Sequence, residues 1–255
     1  MLQQRANGPT RLCLCPEGHV ALKGAWDMVI NGAKLASMCD IGNMNVWATK
    51  DDMRFTAEIA KQYHCCSIFG LKCWATYMAE LIKGTGINLE FSICNNAGSD
   101  DVEVKKFGAK RYVEMGLTEV ECYLNFSYLK SRMYKEATED IAAIRSVIPK
   151  DMIFKVIIQT PILSDEEIGI ASKIVIDGGA NFVKTGNGEY GFTTVHAVEL
   201  ISKALNGAGQ IKVSAPETID DIYQCLDIEG VTRFGMSTEG FLGFYNEAQQ
   251  RSGLI

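Results

Sequence analysis

Eight times between residues 35 and 240, a short apolar run rich in β-forming residues gives way to an amphipathic segment of helical length. That alternation is the signature of βα units, in which helices cover a parallel sheet. The expected runs are Leu35 to Ile41, Cys65 to Phe69, Asn88 to Cys94, Glu119 to Leu124, Ile153 to Ile158, Ala180 to Thr185, Gln210 to Val213 and Val231 to Met236. Thr49-Lys50-Asp51-Asp52 and Ser164-Asp165-Glu166-Glu167 have the form of capping boxes, and Gly84 and Pro149 mark helix ends. Eight such units predict an α/β fold: a single (β/α)8 TIM barrel over residues 36–255. A doubly wound sheet would want a GxGxxG turn after an early strand, and the sequence has none. Residues 1–35 read as an N-terminal extension, with possible short elements at Arg11 to Cys15 and Ala21 to Val29.

Composition excludes several functions. A net charge of -6 argues against a nucleic-acid partner, because phosphate contacts need clustered Lys and Arg. No apolar run approaches membrane-spanning length and the N-terminus lacks a signal-peptide design, so a cytoplasmic protein with no membrane partner is expected. The nine cysteines are scattered, and those in strand-like runs, Cys94 and Cys122 among them, read as small buried hydrophobes in a reducing compartment. Cys13-x-Cys15 and His64-Cys65-Cys66 find no second pair to complete a tetrahedral set, so no metal is expected.

Barrels of this kind place functional groups at the carboxyl ends of their strands. There the run Asn181-Phe182-Val183-Lys184 delivers a lysine into the glycine-containing loop Thr185-Gly186-Asn187-Gly188. Lys155 and Lys212 have the same layout on the neighbouring fifth and seventh strands, so three ammonium groups enter one mouth. Like charges in a dry place repel, which is unfavourable for stability. The arrangement suits a nucleophilic lysine, which must be neutral to attack a carbonyl and is made so by burial and a neighbouring cation. Glu121 on the fourth strand and Asp40 on the first bring carboxylates for proton shuttling. The same residues are also compatible with a purely structural ion-pair network spanning the barrel.

From about Cys39 to Gly240 the chain resembles the 2-deoxyribose-5-phosphate aldolase family of class I aldolases. The most specific matching pieces are Phe182-Val183-Lys184-Thr185-x-x-Gly188, Lys155-Val156-Ile157-Ile158 and Arg233-x-Gly235-x-Ser237. Glu119-Val120-Glu121 with Asn125 and Leu129-Lys130-Ser131 also matches, as do Lys83-Gly84-Thr85-Gly86 and the stretch from Glu103 to Lys110. The resemblance implies that Lys184 is the imine-forming lysine and Lys212 the cation that perturbs it. It places Glu121 where the family has aspartate. The expected substrate-binding set is Asp40, Lys155, Thr185, Gly188, Ser214, Gly235, Ser237 and Thr238. It also implies no cofactor, a homo-oligomer (dimer or tetramer), and 2-deoxyribose 5-phosphate as substrate, cleaved to acetaldehyde and glyceraldehyde 3-phosphate.

The sequence departs from the family where the phosphate is held. After the second lysine the family runs Gly-Gly-Ile/Val-Arg; here Lys212 is followed by Val213-Ser214-Ala215-Pro216-Glu217. Proline offers no N–H, and Glu217 carries the charge of the ligand itself, as does Glu189. These glutamates either turn into solvent or mark an altered pocket. A second expectation is therefore the same chemistry on a different sugar or keto compound, phosphorylated or not. A third is a metabolite-binding barrel without catalysis, which the pairing of Lys184 with Lys212 argues against.

Overall fold

A computed structural model describes residues 30–253 of the chain. The possible elements at Arg11 to Cys15 and Ala21 to Val29, and the Cys13-x-Cys15 group, lie outside the described residues. Eight parallel strands close into a barrel in chain order, each paired with its sequence neighbour and the last with the first. They are β1 (Cys39–Gly42), β2 (Ser67–Phe69), β3 (Asn88–Ser92), β4 (Glu119–Tyr123), β5 (Ile153–Ile157), β6 (Phe182–Lys184), β7 (Gln210–Ser214) and β8 (Val231–Ser237). This is the expected (β/α)8 architecture, and each of the eight runs supplies one strand.

The first run needs a correction. Leu35 and Ala36 belong to a short helix, α1 (Gly32–Ala36), and the strand begins only at Cys39. Asn31 caps that helix by accepting from the Lys34 N–H, and Leu35 and Ala36 are fully buried in it. An apolar segment this short buries its side chains equally well as strand or helix, so hydrophobicity does not decide between them.

Helices α2 (Lys50–Tyr63), α3 (Ala75–Leu81), α4 (Val102–Glu114), α5 (Phe126–Lys130), α6 (Tyr134–Arg145), α7 (Asp165–Asp177), α8 (Val195–Leu205), α9 (Ile219–Leu226) and α10 (Thr238–Arg251), with short 3-10 turns at Lys72–Trp74 and Thr160–Ile162, complete the described chain. Both expected capping boxes form, Thr49 with Asp52 and Ser164 with Glu167. Helix α5 was not expected; it follows β4 directly, capped by Asn125, whose side chain accepts from the Tyr128 N–H. Cys94 and Cys122 are buried free thiols. Among the described residues no helix is long and apolar enough to cross a membrane.

Strand side chains alternate between two faces. On β4, Val120 and Cys122 join the apolar layer under the helices, while Glu119, Glu121 and Tyr123 take the other face, toward the barrel axis. Pairing between β7 and β8 shifts by one residue beside Lys212, so that Lys212 lies opposite Arg233 and Thr232 is passed over. The barrel interior is consequently charged, an unusual filling for a fold whose axis is ordinarily packed with branched apolar side chains.

Candidate active site

Seven strands send a charged side chain inward. Asp40, Glu90, Glu119, Lys155 and Lys212 are each fully shielded from solvent, and Arg233, Glu121 and Lys184 nearly so. Lower in the interior, Lys155 is boxed by three carboxylates: Asp40 at 3.0 Å, with Glu90 and Glu119 in direct contact. Arg233 forks between Asp40 and Glu119, reaching Glu119 at 2.6 Å. Asp40, Glu90 and Glu119 stand close enough together to share one cation, and the cations that occupy them are Lys155, Lys212 and Arg233. Burial alone would raise the Asp40 carboxyl, yet Arg233, Lys155 and Lys212 outweigh it and hold the group down at about 2.

Higher up, strand register sets Lys184 directly beside Lys212. Lys184 Nζ donates to both oxygens of Glu121, at 2.9 Å and 2.7 Å. Lys212 Nζ donates to the same Oε1 at 3.0 Å, lies 2.8 Å from Asp40 and contacts Glu90. The Phe69 ring of β2 covers both ammonium groups from one side, its centre 5.8 Å from Lys184 and 5.7 Å from Lys212.

These neighbours respond to burial in opposite ways. Burial pulls the Lys184 amine below its ordinary pKa; the Glu121 carboxylate opposes this and the Lys212 charge reinforces it. Burial acts on Lys212 too, but Asp40, Glu121 and Glu90 outweigh it and hold its pKa well above the usual range. Glu121 is pushed far down: burial favours its neutral form, but Lys184, Lys212 and Lys155 together prevail. An amine that gives up its proton more readily than an ordinary lysine therefore stands beside a fixed cation and an ionised carboxylate. That set can add to a carbonyl and move protons around the adduct.

Lys184 and Glu121 open into a pocket lined also by Phe69, Lys72, Glu90, Ser92, Tyr123 and Asn187. Asp40 and Lys155, expected to touch substrate, lie in the closed interior and do not line this pocket. The remaining expected residues surround the ends of β6, β7 and β8. Thr185 shares its hydroxyl hydrogen bond with Thr193 at 2.7 Å and accepts from the Ser214 N–H at 2.9 Å. Ser237 caps α10 by accepting from the Gly240 N–H, and Thr238 pairs with the Thr56 hydroxyl at 2.9 Å. Ser214 Oγ is buried without a hydrogen-bond partner and faces Gly235, where an added Cβ would come within 2.8 Å of it.

The loop after β6 turns at Gly188, whose φ of +84° suits glycine, and sends Asn187 and Glu189 back over the mouth. Asn187 donates to the Tyr123 hydroxyl at 2.9 Å and accepts from Gln159 at 2.9 Å. Glu189 is exposed and accepts from Asn96 at 2.7 Å, which ties the β6 loop to the β3 loop. That β3 loop is itself seated by Gly98, at φ +63°, where any Cβ would meet the Leu124 carbonyl oxygen at 2.2 Å. Glu217 is exposed ahead of α9. Glu90, Tyr123 and Asn187 were absent from the expected set. The polar–apolar alternation of Asn88-Leu89-Glu90-Phe91-Ser92 puts Glu90 on one face with Ser92, a signal that marks it as inward.

No family model matches the sequence. Among characterised proteins, the deoxyribose-phosphate aldolase of Caldanaerobacter subterraneus subsp. tengcongensis is 31% identical over 208 residues, 80% of this chain and 89% of the relative. The enzyme of the same name from Lactococcus lactis is 31% identical over 192 residues, 74% of this chain and 86% of the relative. Two solved structures share the fold. The aldolase QR15 superimposes with a TM-score of 0.78 at 22% identity, over 87% of this chain and 98% of that one. The deoxyribose phosphate aldolase of Aeropyrum pernix, described as tetrameric, does so with 0.73 at 20% identity, over 88% and 94%.

Proposed function

Since the chain belongs to the deoxyribose-phosphate aldolase family, and is thus an aldolase, we propose that it works by imine formation at Lys184. One observation carries this reading: a buried amine with a lowered pKa shares a single carboxylate with a second, firmly protonated lysine. Neutral Lys184 adds to the substrate carbonyl, and loss of water leaves an iminium that draws electrons from the bond between its α and β carbons as the β-hydroxyl gives up its proton. Cleavage releases the acceptor aldehyde and leaves an enamine, which is protonated and hydrolysed to free the donor. Glu121 and Lys212 carry the protons, and burial together with the Lys212 charge eases loss of the Lys184 proton.

The substrate of this reading is 2-deoxyribose 5-phosphate, split to acetaldehyde and glyceraldehyde 3-phosphate. Backbone N–H groups where β8 enters α10, around Gly235, Ser237 and Thr238, offer the anion a helix N-terminus. Thr185 and Gly188 stand on the loop after β6, and Ser214 ends β7 beside them. A second substrate, the same sugar without phosphate, is favoured by Pro216 and Glu217 on the β7 side and by Glu189 held across the mouth. A homo-oligomer, as described for the Aeropyrum pernix relative, belongs to the same reading and is read by sedimentation.

Borohydride reduction in the presence of acetaldehyde tests the chemistry: an ethyl adduct on Lys184 is expected by peptide mass, and its absence across a panel of aldehydes and ketones sinks the imine. Cleavage rates for the phosphorylated and the free sugar, measured side by side, choose between the substrates.

A further inference from the structure

The charged groups of the barrel interior balance. Asp40 on β1, Glu90 on β3 and Glu119 and Glu121 on β4 face Lys155 on β5, Lys184 on β6, Lys212 on β7 and Arg233 on β8. The neighbouring strand β2 contributes the Phe69 ring. If Lys184 surrendered its proton to water, this shielded set would be left with one uncompensated negative charge, which burial makes costly. Neutrality survives if the proton stays inside the set.

Connectivity decides where it goes. Asp40 is gripped by three cations, Arg233, Lys155 and Lys212, one more than hold Glu90. Glu119 is bonded to Lys155 and Arg233, off the path from Lys184. Glu90 lines the pocket and ends a continuous line of hydrogen bonds from Lys184 to Glu121, to Lys212, to Glu90. We propose that Glu90 is the proton reservoir of the site, receiving through Glu121 and Lys212 the proton that Lys184 must lose. The proposal rests on the imine reading above.

The transfer balances. An N–H bond of the Lys184 ammonium breaks and its proton goes to Glu121. Lys212 passes one of its own protons to Glu90 Oε1 and takes the Glu121 proton in exchange. The net result is a neutral amine at Lys184 and a neutral carboxylic acid at Glu90; Glu121 and Lys212 end as they began, and no electrons change hands. Run in reverse, the line delivers the proton needed when water departs or when the enamine is quenched. Acting through Lys212, Glu90 is a positioning residue for the proton rather than a group that touches substrate.

The test separates imine formation from enamine formation, using acetaldehyde as the probe. Borohydride trapping on Lys184 reads the first; deuterium uptake into the acetaldehyde methyl group in heavy water reads the second. In Glu90→Gln, which keeps the shape but cannot store a proton, trapping is retained while uptake slows about a hundredfold, the scale of one acid–base group. Trapping in this variant also acquires a one-proton rise with pH that the unmutated protein lacks. Glu90→Asp restores part of the uptake. Should trapping and uptake stay unchanged, or fall in equal proportion, Glu90 is structural and the proposal is overturned. A wild-type measurement guards against misfolding of the variants: uptake in mixtures of light and heavy water curves if several protons move together, and a straight line overturns the relay. Absence of any Lys184 adduct in the unmutated protein instead overturns the imine reading on which the relay depends.

Discussion

Two buried lysine–carboxylate pairs in this molecule look alike. Lys105 of α4 meets Asp140 of α6 at 2.6 Å, with side chains 0% and 7% exposed. Lys184 meets Glu121 at 2.7 Å, with side chains 9% and 7% exposed. Their carboxylates behave differently. Burial pushes Asp140 above its ordinary pKa despite the hydrogen bond from Lys105, whereas Glu121, with Lys184, Lys212 and Lys155 around it, is driven well below. One cation fails to offset desolvation and three exceed it. Distance and burial, then, do not separate the two pairs. A second cation on the same carboxylate, and a pocket above it, do.

That contrast can be broken or sharpened by substitution. The largest effect is expected for Lys184→Met, which should abolish borohydride trapping and cut cleavage by about four orders of magnitude or more, as loss of a covalent nucleophile does. Lys105→Met should leave both intact; equal losses in the two variants would erase the distinction. Lys212→Leu should lower kcat by about a hundredfold. It also removes a cation that depresses the Lys184 pKa, so the acid limb of the rate profile should move to higher pH; a shift the other way would mean that Lys212 does not tune the amine. Asp140→Ala leaves Lys105 buried and alone, and urea unfolding should record a loss of about 3–5 kcal/mol. Lys105→Met with Asp140→Leu together should recover most of that, with trapping normal throughout. The smallest effect belongs to the rim: Glu189→Ala removes an exposed negative charge at the mouth and should lower KM for the phosphorylated sugar by about two- to threefold, a change that initial rates can resolve.

Much of this was legible in the chain. The strand rhythm fixed the barrel because each unit carries its own punctuation, and Thr49 and Ser164 cap helices as their spacing implies. Lys184, Lys212 and Glu121 stand out as candidates because a charged residue near the end of an apolar strand is conspicuous, and the structure brings the three side chains together. Glu90 escaped because it sits mid-strand rather than at the strand end where a charge is conspicuous, and its partners Lys155 and Lys212 lie 65 and 122 residues away. Nothing local announces the clasp among Asn187, Tyr123 and Gln159, for the same reason. Asp40 and Lys155, expected to bind substrate at the mouth, lie in the closed interior instead, because a strand pattern does not say how deep a side chain lies. That depth follows from register: Lys155 pairs with Phe182, two residues below Lys184 on the neighbouring strand.

The ring of salt links draws members from every strand but the second, and the second closes it with Phe69. A cylinder left open between its first and last strands would part Arg233 from Asp40 and leave each with fewer partners than the closed wall supplies. Assembly of the charged cluster is for this reason tied to the curvature of the whole wall. A flat, half-zipped sheet has no weakened version of it, because the carboxylates of β3 and β4 reach the lysines of β6 and β7 only across the barrel's hollow.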